Sequence, residues 1–242
     1  MDKIALSVRD LKITYKYVSQ ISFRSLFSKN RKKAEYFEAL KGISFDVTKG
    51  EILGIIGDNG SGKSTLLRAL AGIYSPDSGS VETYGQSVSL MAIGAGFKKN
   101  LSGRDNILLS GLLLGFPKKL IMEKMDEIIE FSGLGAKIDK SVRAYSSGMY
   151  SKLAFSITAI LEPDILLIDE VFSVGDKRFK KKSAKKMQQL IEDANRTVVI
   201  VSHNLANLQS LCSRVIWIDA GEIKMSGDPE TVISAYSEFT EK

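Results

Sequence analysis

The 242-residue chain has a single cysteine, Cys212. It can form no disulfide within itself, which fits a reducing, cytosolic compartment. Its longest apolar run, "ILLSGLLLGF" over 107–116, falls far short of the roughly 20 residues that a spanning helix needs. The chain is therefore not expected to cross a membrane alone. The opening "MDKIALSVRD" carries acids early and has no long apolar core, so it does not read as a secretion signal. There is no internal repeat and no low-complexity linker. Acid is absent from two stretches, "VSQISFRSLFSKNRKK" over 18–33 and "KRFKKKSAKK" over 177–186. The net charge of +6 is modest, and an anionic partner or plain solubility can each account for it. What remains is ordinary for a globular protein: 44% hydrophobic and 26% charged residues, in a chain long enough for one large core.

Several short runs have the continuous apolar character of strands buried on both faces of a parallel sheet. They are "EILGIIG" (51–57), "DILLIDE" (164–170), "TVVIVSH" (197–203) and, less strongly, "VIWID" (215–219). Helix-like patterns lie between them: "STLLRALAGI" (64–73), "PKKLIMEKMDEIIEFSGL" (117–134) and the segment after Asp176. Strands alternating with helices predict an α/β domain with a largely parallel sheet. The early segments "IALSVRDLKITYKY" and "ALKGISFDVTKGE" alternate more like antiparallel strands. One domain, 1–242, with a helical insertion over about 97–161 accounts for the chain.

The stretch "GDNGSGKST" (Gly57, Asp58, Asn59, Gly60, Ser61, Gly62, Lys63, Ser64, Thr65) matches the phosphate-loop pattern in full. It follows an expected strand and opens an expected helix, the context this motif requires. Glycines let successive backbone N–H groups turn inward as an anion nest, and the helix N-terminus adds its positive end. Lys63 can reach the β- and γ-phosphates of a bound nucleotide, and Ser64 can offer its hydroxyl to Mg2+. The strand "ILLIDE" ends in Asp169 and Glu170, at the end of an α/β sheet where ligands bind. Asp169 suits Mg2+ held through water. Glu170 suits a general base that polarises an attacking water. The only histidine, His203, ends a strand expected beside the phosphate-loop strand. Its bland reading is structural; its functional one is contact with the γ-phosphate.

A further segment, "YSSGMYSKLAF" over 145–155, places two serines and a glycine before a mostly apolar helix, with no triad partner and no metal ligand beside it. Phosphate loop, "YSSGM", acidic pair and histidine, in that order, resemble the nucleotide-binding subunit of an ABC transporter. The resemblance covers essentially the whole chain. It implies an α/β P-loop nucleotide-binding domain with a RecA-like parallel core sheet, an antiparallel β subdomain and a helical subdomain. It implies ATP and Mg2+, a second copy of the chain, two copies of a polytopic membrane subunit, and a peripheral place at the cytoplasmic face of a bacterial cell membrane, with no nucleic acid. Tyr145, Ser146, Ser147, Gly148 and Met149 then form the signature motif, binding the γ-phosphate of ATP held by the other copy. Asp176 falls at the D-loop position. Tyr15 matches the aromatic platform for adenine, with Tyr36 and Phe37 as rivals.

The variant "YSSGM", together with "GAGFKKNLSGRDNI", "VFSVGD" and "GDPETVISAY", looks like the branch that exports polysaccharides and teichoic acids. That implies a lipid-linked polymer as cargo, teichoic acid first, with capsular polysaccharide or O-antigen as runner-up. The family's glutamine after the strand that follows the phosphate-loop helix is missing from "MAIGAGF" (91–97), and Gln86 lies too early. The insertion over about 18–37 resembles a gate helix near the membrane surface, with Phe23, Leu26 and Phe27 as a short apolar face; a solvated loop is the alternative. In the second basic run, Phe179, Met187, Leu190 and Ile191 fit a buried stripe that leaves the lysines in water. The sequence closes on "SAYSEFTEK", so the added carbohydrate-binding domain that the resemblance associates with some O-antigen exporters is not expected. A soluble ABC ATPase acting on DNA or ribosomes would carry two cassettes or a long coiled-coil arm, and a kinase or GTPase would not need "YSSGM".

Overall fold

Strand β3 (Ile52–Ile56) is buried from Leu53 onward and lies inside a six-stranded sheet. The chain is described here from a computed structural model, over residues 3–17, 35–91, 96–169 and 176–241. The sheet runs in the order β5 (Val88–Leu90), β6 (Ile165–Asp169), β7 (Thr197–Val201), β3, β8 (Arg214–Asp219) and β9 (Glu222–Gly227). Its pairs are parallel, except that β9 returns antiparallel on β8. Every residue of β7 is buried, as a parallel strand covered by helices on both faces requires. A second, antiparallel sheet has the order β2 (Glu35–Thr48), β1 (Ile4–Tyr17), β4 (Ser78–Glu82).

One core joins the two sheets through α1 (Lys63–Leu70), with Leu6, Leu40, Leu53, Leu66 and Leu167 inside it. A second lies on the opposite face of the large sheet, under α5 (Lys177–Ile191), α6 (Leu205–Leu211) and α7 (Pro229–Thr240). A third holds α2 (Gly103–Leu113), α3 (Lys118–Ser132) and α4 (Ser147–Leu161) together around Ile107, Ile121, Met125 and Ile157. These helices occupy most of the 97–161 segment expected to be helical. Among the described residues no helix is long and apolar enough to cross a membrane.

The α/β fold with a parallel core sheet, an antiparallel sheet and a helical part is the one expected. The differences are local. The first helix stops at Leu70, before Gly72 with its φ of 66°. The third ends where Gly133 takes the left-handed conformation at φ 65°, a conformation that L side chains resist. Helix α5 contains no acid, but its N-cap does: Asp176 accepts from the N–H groups of Arg178 and Phe179. The stripe Phe179, Met187, Leu190, Ile191 is buried as expected, with Ser183 added to it.

Phe179 meets Phe131 of α3 and Phe155 of α4 at ring separations of 5.9 and 5.8 Å. This trio joins the helical part to the sheet. Phe179→Ala should therefore cost about 3–5 kcal/mol, the usual cost of a large aromatic cavity. Urea unfolding would read this as a lower midpoint with an unchanged slope.

Candidate functional site

The chain leaves β3 at Gly57 and turns with three positive φ values, 146° at Gly57, 86° at Gly60 and 109° at Gly62. At two of these only glycine fits. A Cβ on Gly57 would stand 2.0 Å from the Ile218 carbonyl oxygen, and one on Gly62 would stand 2.6 Å from that of Ala39. The loop closes around Lys63, which is 7% exposed. Its Nζ donates to the carbonyl oxygens of Gly57 and Asp58, at 2.7 and 2.8 Å. The Ser61 N–H donates back to the Asp58 oxygen at 3.1 Å, and the Gly221 N–H reaches the Ser61 oxygen at 3.0 Å. No side chain caps the start of α1, so its first N–H groups suit an anion.

The parallel sheet delivers the rest. In β6, Asp169 stands opposite Val201 of β7, two residues before His203, and β7 is the direct neighbour of β3. The strand ends thus converge on one cleft of about 220 Å³, lined among others by Asn59, Gly60, Lys63, Ser64, Thr65, Asp169 and His203. Glu170, the expected base, lies outside the described residues.

Tyr15 and Phe37 face each other across β1 and β2 and line the same cleft. The Tyr15 hydroxyl is 3.1 Å from Thr65 Oγ1, and its ring meets Tyr74 edge-on at 6.2 Å. Phe37 and Tyr36 are 47% and 66% exposed and border a neighbouring cleft with Thr14, Glu38 and Lys41. Tyr15 is thus tied into the protein, while Tyr36 and Phe37 offer more open ring surface.

The "YSSGM" segment sits elsewhere. Ser146 caps α4 and accepts from the Met149 N–H at 3.2 Å. Tyr145 donates its hydroxyl to the Lys137 oxygen at 2.9 Å. A Cβ on Gly148 would meet only Ser146 Oγ, at 4.0 Å, so the glycine leaves this surface open rather than relieving strain. Tyr145, Ser146 and Ser147 border a second cleft with Lys99, Arg143 and Tyr150. No residue lines both this cleft and the phosphate-loop cleft. Among the described residues, the expected signature motif and phosphate loop thus border different clefts.

Asp176 is linked to α4: its carboxylate accepts from Lys152 Nζ as well as from its own helix. The Lys152 bond, then the helix N–H groups, hold its pKa at about 2, so it stays charged at any physiological pH. Sequence reasoning missed Lys152, since a partner 24 residues away leaves no local signal. Gln86 donates to the Ala5 oxygen at 3.0 Å and does not border the phosphate-loop cleft. Of the stretch without a glutamine, 92–95 lies outside the described residues, as do most of the gate-helix insertion (18–34) and 171–175.

The family model for the ABC transporter matches residues 40–173, over half of the chain, and includes the phosphate loop, Asp169 and the "YSSGM" segment. The chain belongs to the ABC transporter family. Among its relatives is the teichoic acids export ATP-binding protein TagH of Lactococcus lactis, 48% identical over 90% of this chain and 46% of its own length. The O-antigen export system ATP-binding protein RfbB of Myxococcus xanthus is 46% identical over 85% of this chain and 47% of its own. That of Klebsiella pneumoniae is 43% identical over 85% of this chain and 83% of its own. The chain spans about half the length of the first two relatives. A solved ATP-binding cassette, a dimer in a post-hydrolysis state with ADP and Pi, superposes with a TM-score of 0.67 at 19% identity, over 93% of this chain and 98% of its own. The expected likeness to the polymer-export branch of the ABC transporter family is borne out by these relatives.

Proposed function

We propose that this chain is the ATP-hydrolysing part of an ABC exporter that moves lipid-linked teichoic acid across the cytoplasmic membrane. The observation that carries the reading is the cleft in which a buried Lys63, Ser64, Asp169 and His203 face one anion nest. Lys63 and the loop's N–H groups bind the β- and γ-phosphates. Glu170 takes a proton from the attacking water, the water oxygen bonds to the γ-phosphorus, and the bond to the ADP oxygen breaks. His203 donates toward the γ-phosphate as its charge shifts. Tyr15 and Phe37 hold the adenine.

The donors present fit Mg2+. Among the described residues no three His, Cys, Asp or Glu side chains converge as a dedicated cage, and Mg2+ prefers one or two protein oxygens completed by water and phosphate. Ser64 and Asp169 supply such oxygens. Bound there, the ion would neutralise phosphate charge during transfer.

The separation of the two clefts supports action across two copies, with Tyr145 to Met149 of one chain closing over ATP on the other and Asp176 beside the junction. The pair would work at the cytoplasmic face against two copies of a polytopic membrane subunit, with the 18–37 insertion near the membrane surface. Capsular polysaccharide or O-antigen is the second cargo reading, favoured by the relatives named for O-antigen export. Restored export in a strain lacking its teichoic acid exporter, against one lacking its O-antigen exporter, separates the two.

The test of trans action mixes a Lys63→Ala copy with a Ser146→Arg copy, each inactive alone. A heterodimer has one site with both lesions and one with neither. Partial ATPase activity should return on mixing. Zero activity in isolated, proven heterodimers would count against trans closure by two independent sites.

A further inference from the structure

Asp58, the second residue of the phosphate loop, is held twice. Its carbonyl oxygen receives Lys63 Nζ. Its carboxylate oxygen Oδ1 receives the hydroxyl of Tyr236 at 2.8 Å, across 178 residues of sequence. Tyr236 lies on α7, which Asp228 caps and which buries Val232 and Ile233 in the core. The Tyr236 ring packs on Trp217 of β8 at 5.6 Å. Trp217 in turn pairs with Ile56, the last residue of β3 before the loop begins.

The tether therefore starts from a rigid platform beside the loop's own root. The loop itself needs such support. Residues 58–60 are exposed, and three left-handed glycines leave it with more backbone freedom to lose on ordering than other residues would. A tether to a fixed helix removes part of that freedom before ligand arrives, and preorganisation of this kind raises affinity.

We propose that Tyr236 is a positioning residue for phosphate binding: through Asp58 it holds the loop's carbonyl cradle around Lys63 and makes nucleotide affinity depend on where α7 sits. The inference rests on the reading of this loop as the ATP site. Burial and the neighbouring Asp58 push the Tyr236 phenol up to about 12, so it remains a donor throughout the physiological range.

The test measures Mg-ATP dissociation constants and steady-state kinetics on the full-length protein. Tyr236→Phe removes one hydroxyl and keeps the ring on Trp217. It should raise Kd and KM about three- to tenfold, less than the full worth of a hydrogen bond to a charged group because the lost bond acts on the nucleotide only through the loop, and leave kcat nearly unchanged. Asp58→Ala should raise Kd at least as much, Asp58→Asn should raise it less because its amide oxygen still accepts, and the double variant Tyr236→Phe with Asp58→Ala should bind no worse than Asp58→Ala alone. Unchanged Kd in Tyr236→Phe, fully additive effects, or a lowered Tm without a change in Kd would each overturn the proposal. Lys63→Ala in the same assay keeps the two claims apart. If it loses binding while Tyr236→Phe does not, the tether fails; if it too binds normally, the ATP-site reading fails.

Discussion

Lys63→Ala is expected to weaken ATP binding about a hundredfold or more, given that charge-assisted hydrogen bonds contribute about 1.5–3 kcal/mol each and phosphate offers several acceptors. Lys63 is 7% exposed, and its ammonium donates to the loop's own carbonyl oxygens. It is held in place before any ligand arrives, so little ordering cost is left for binding. The same enclosure sets the control. Removing Nζ takes a partner from the Gly57 and Asp58 oxygens, although the Asp58 oxygen keeps the Ser61 N–H. A fall in Tm would therefore accompany the loss, and Lys63→Arg, which restores a cation without the fit, should recover the Tm better than the affinity. Equilibrium dialysis with labelled ATP reads the result; unchanged retention of ATP by Lys63→Ala would remove the loop from the nucleotide site.

Glu170→Gln is expected to lower hydrolysis by about 10²–10⁴, the range for removal of a general base, while Mg-ATP binding persists. Asp169→Asn should look different although the two residues are adjacent. Asp169 closes β6 and borders the cleft beside Ser64, so its loss should abolish the difference between ATP affinity measured with Mg2+ and with a chelator. The pair thus separates an ion ligand from a base by binding and turnover on the same samples. Rapid turnover in Glu170→Gln would reassign the base. A Mg2+ dependence intact in Asp169→Asn would reassign the ligand.

The parts of this fold that could be read in the sequence are those whose cause is local. Strand β7 is buried at all five positions, so its apolar run betrays it, and the phosphate loop carries its own glycines, lysine and flanking elements within nine residues. Strand β9 escaped because its residues alternate between partly buried and exposed without a strong apolar face, and its partner β8 sets its place. Helix α7 escaped for a related reason: its burial rests on Pro229, Val232 and Ile233, too few to announce a helix. Tyr15 could be located, but its bond to Thr65 and its register opposite Phe37 come from strand pairing. The links Lys152–Asp176 and Tyr236–Asp58 join residues whose proximity only the completed sheet creates. Glu170 lies outside the described residues, and its expected role rests on its adjacency to the strand-ending Asp169.

The separation of the "YSSGM" cleft from the phosphate-loop cleft has a consequence in mass action. If each working centre takes one half from either copy, dilute chains turn over ATP at a rate that grows with the square of their concentration. Free chains would then waste little fuel. Two copies seated on one membrane partner experience an effective concentration set by their spacing, on the order of millimolar for closely linked modules. On the proposed reading, hydrolysis would then be a property of the assembled machine, with membrane recruitment acting as the throttle.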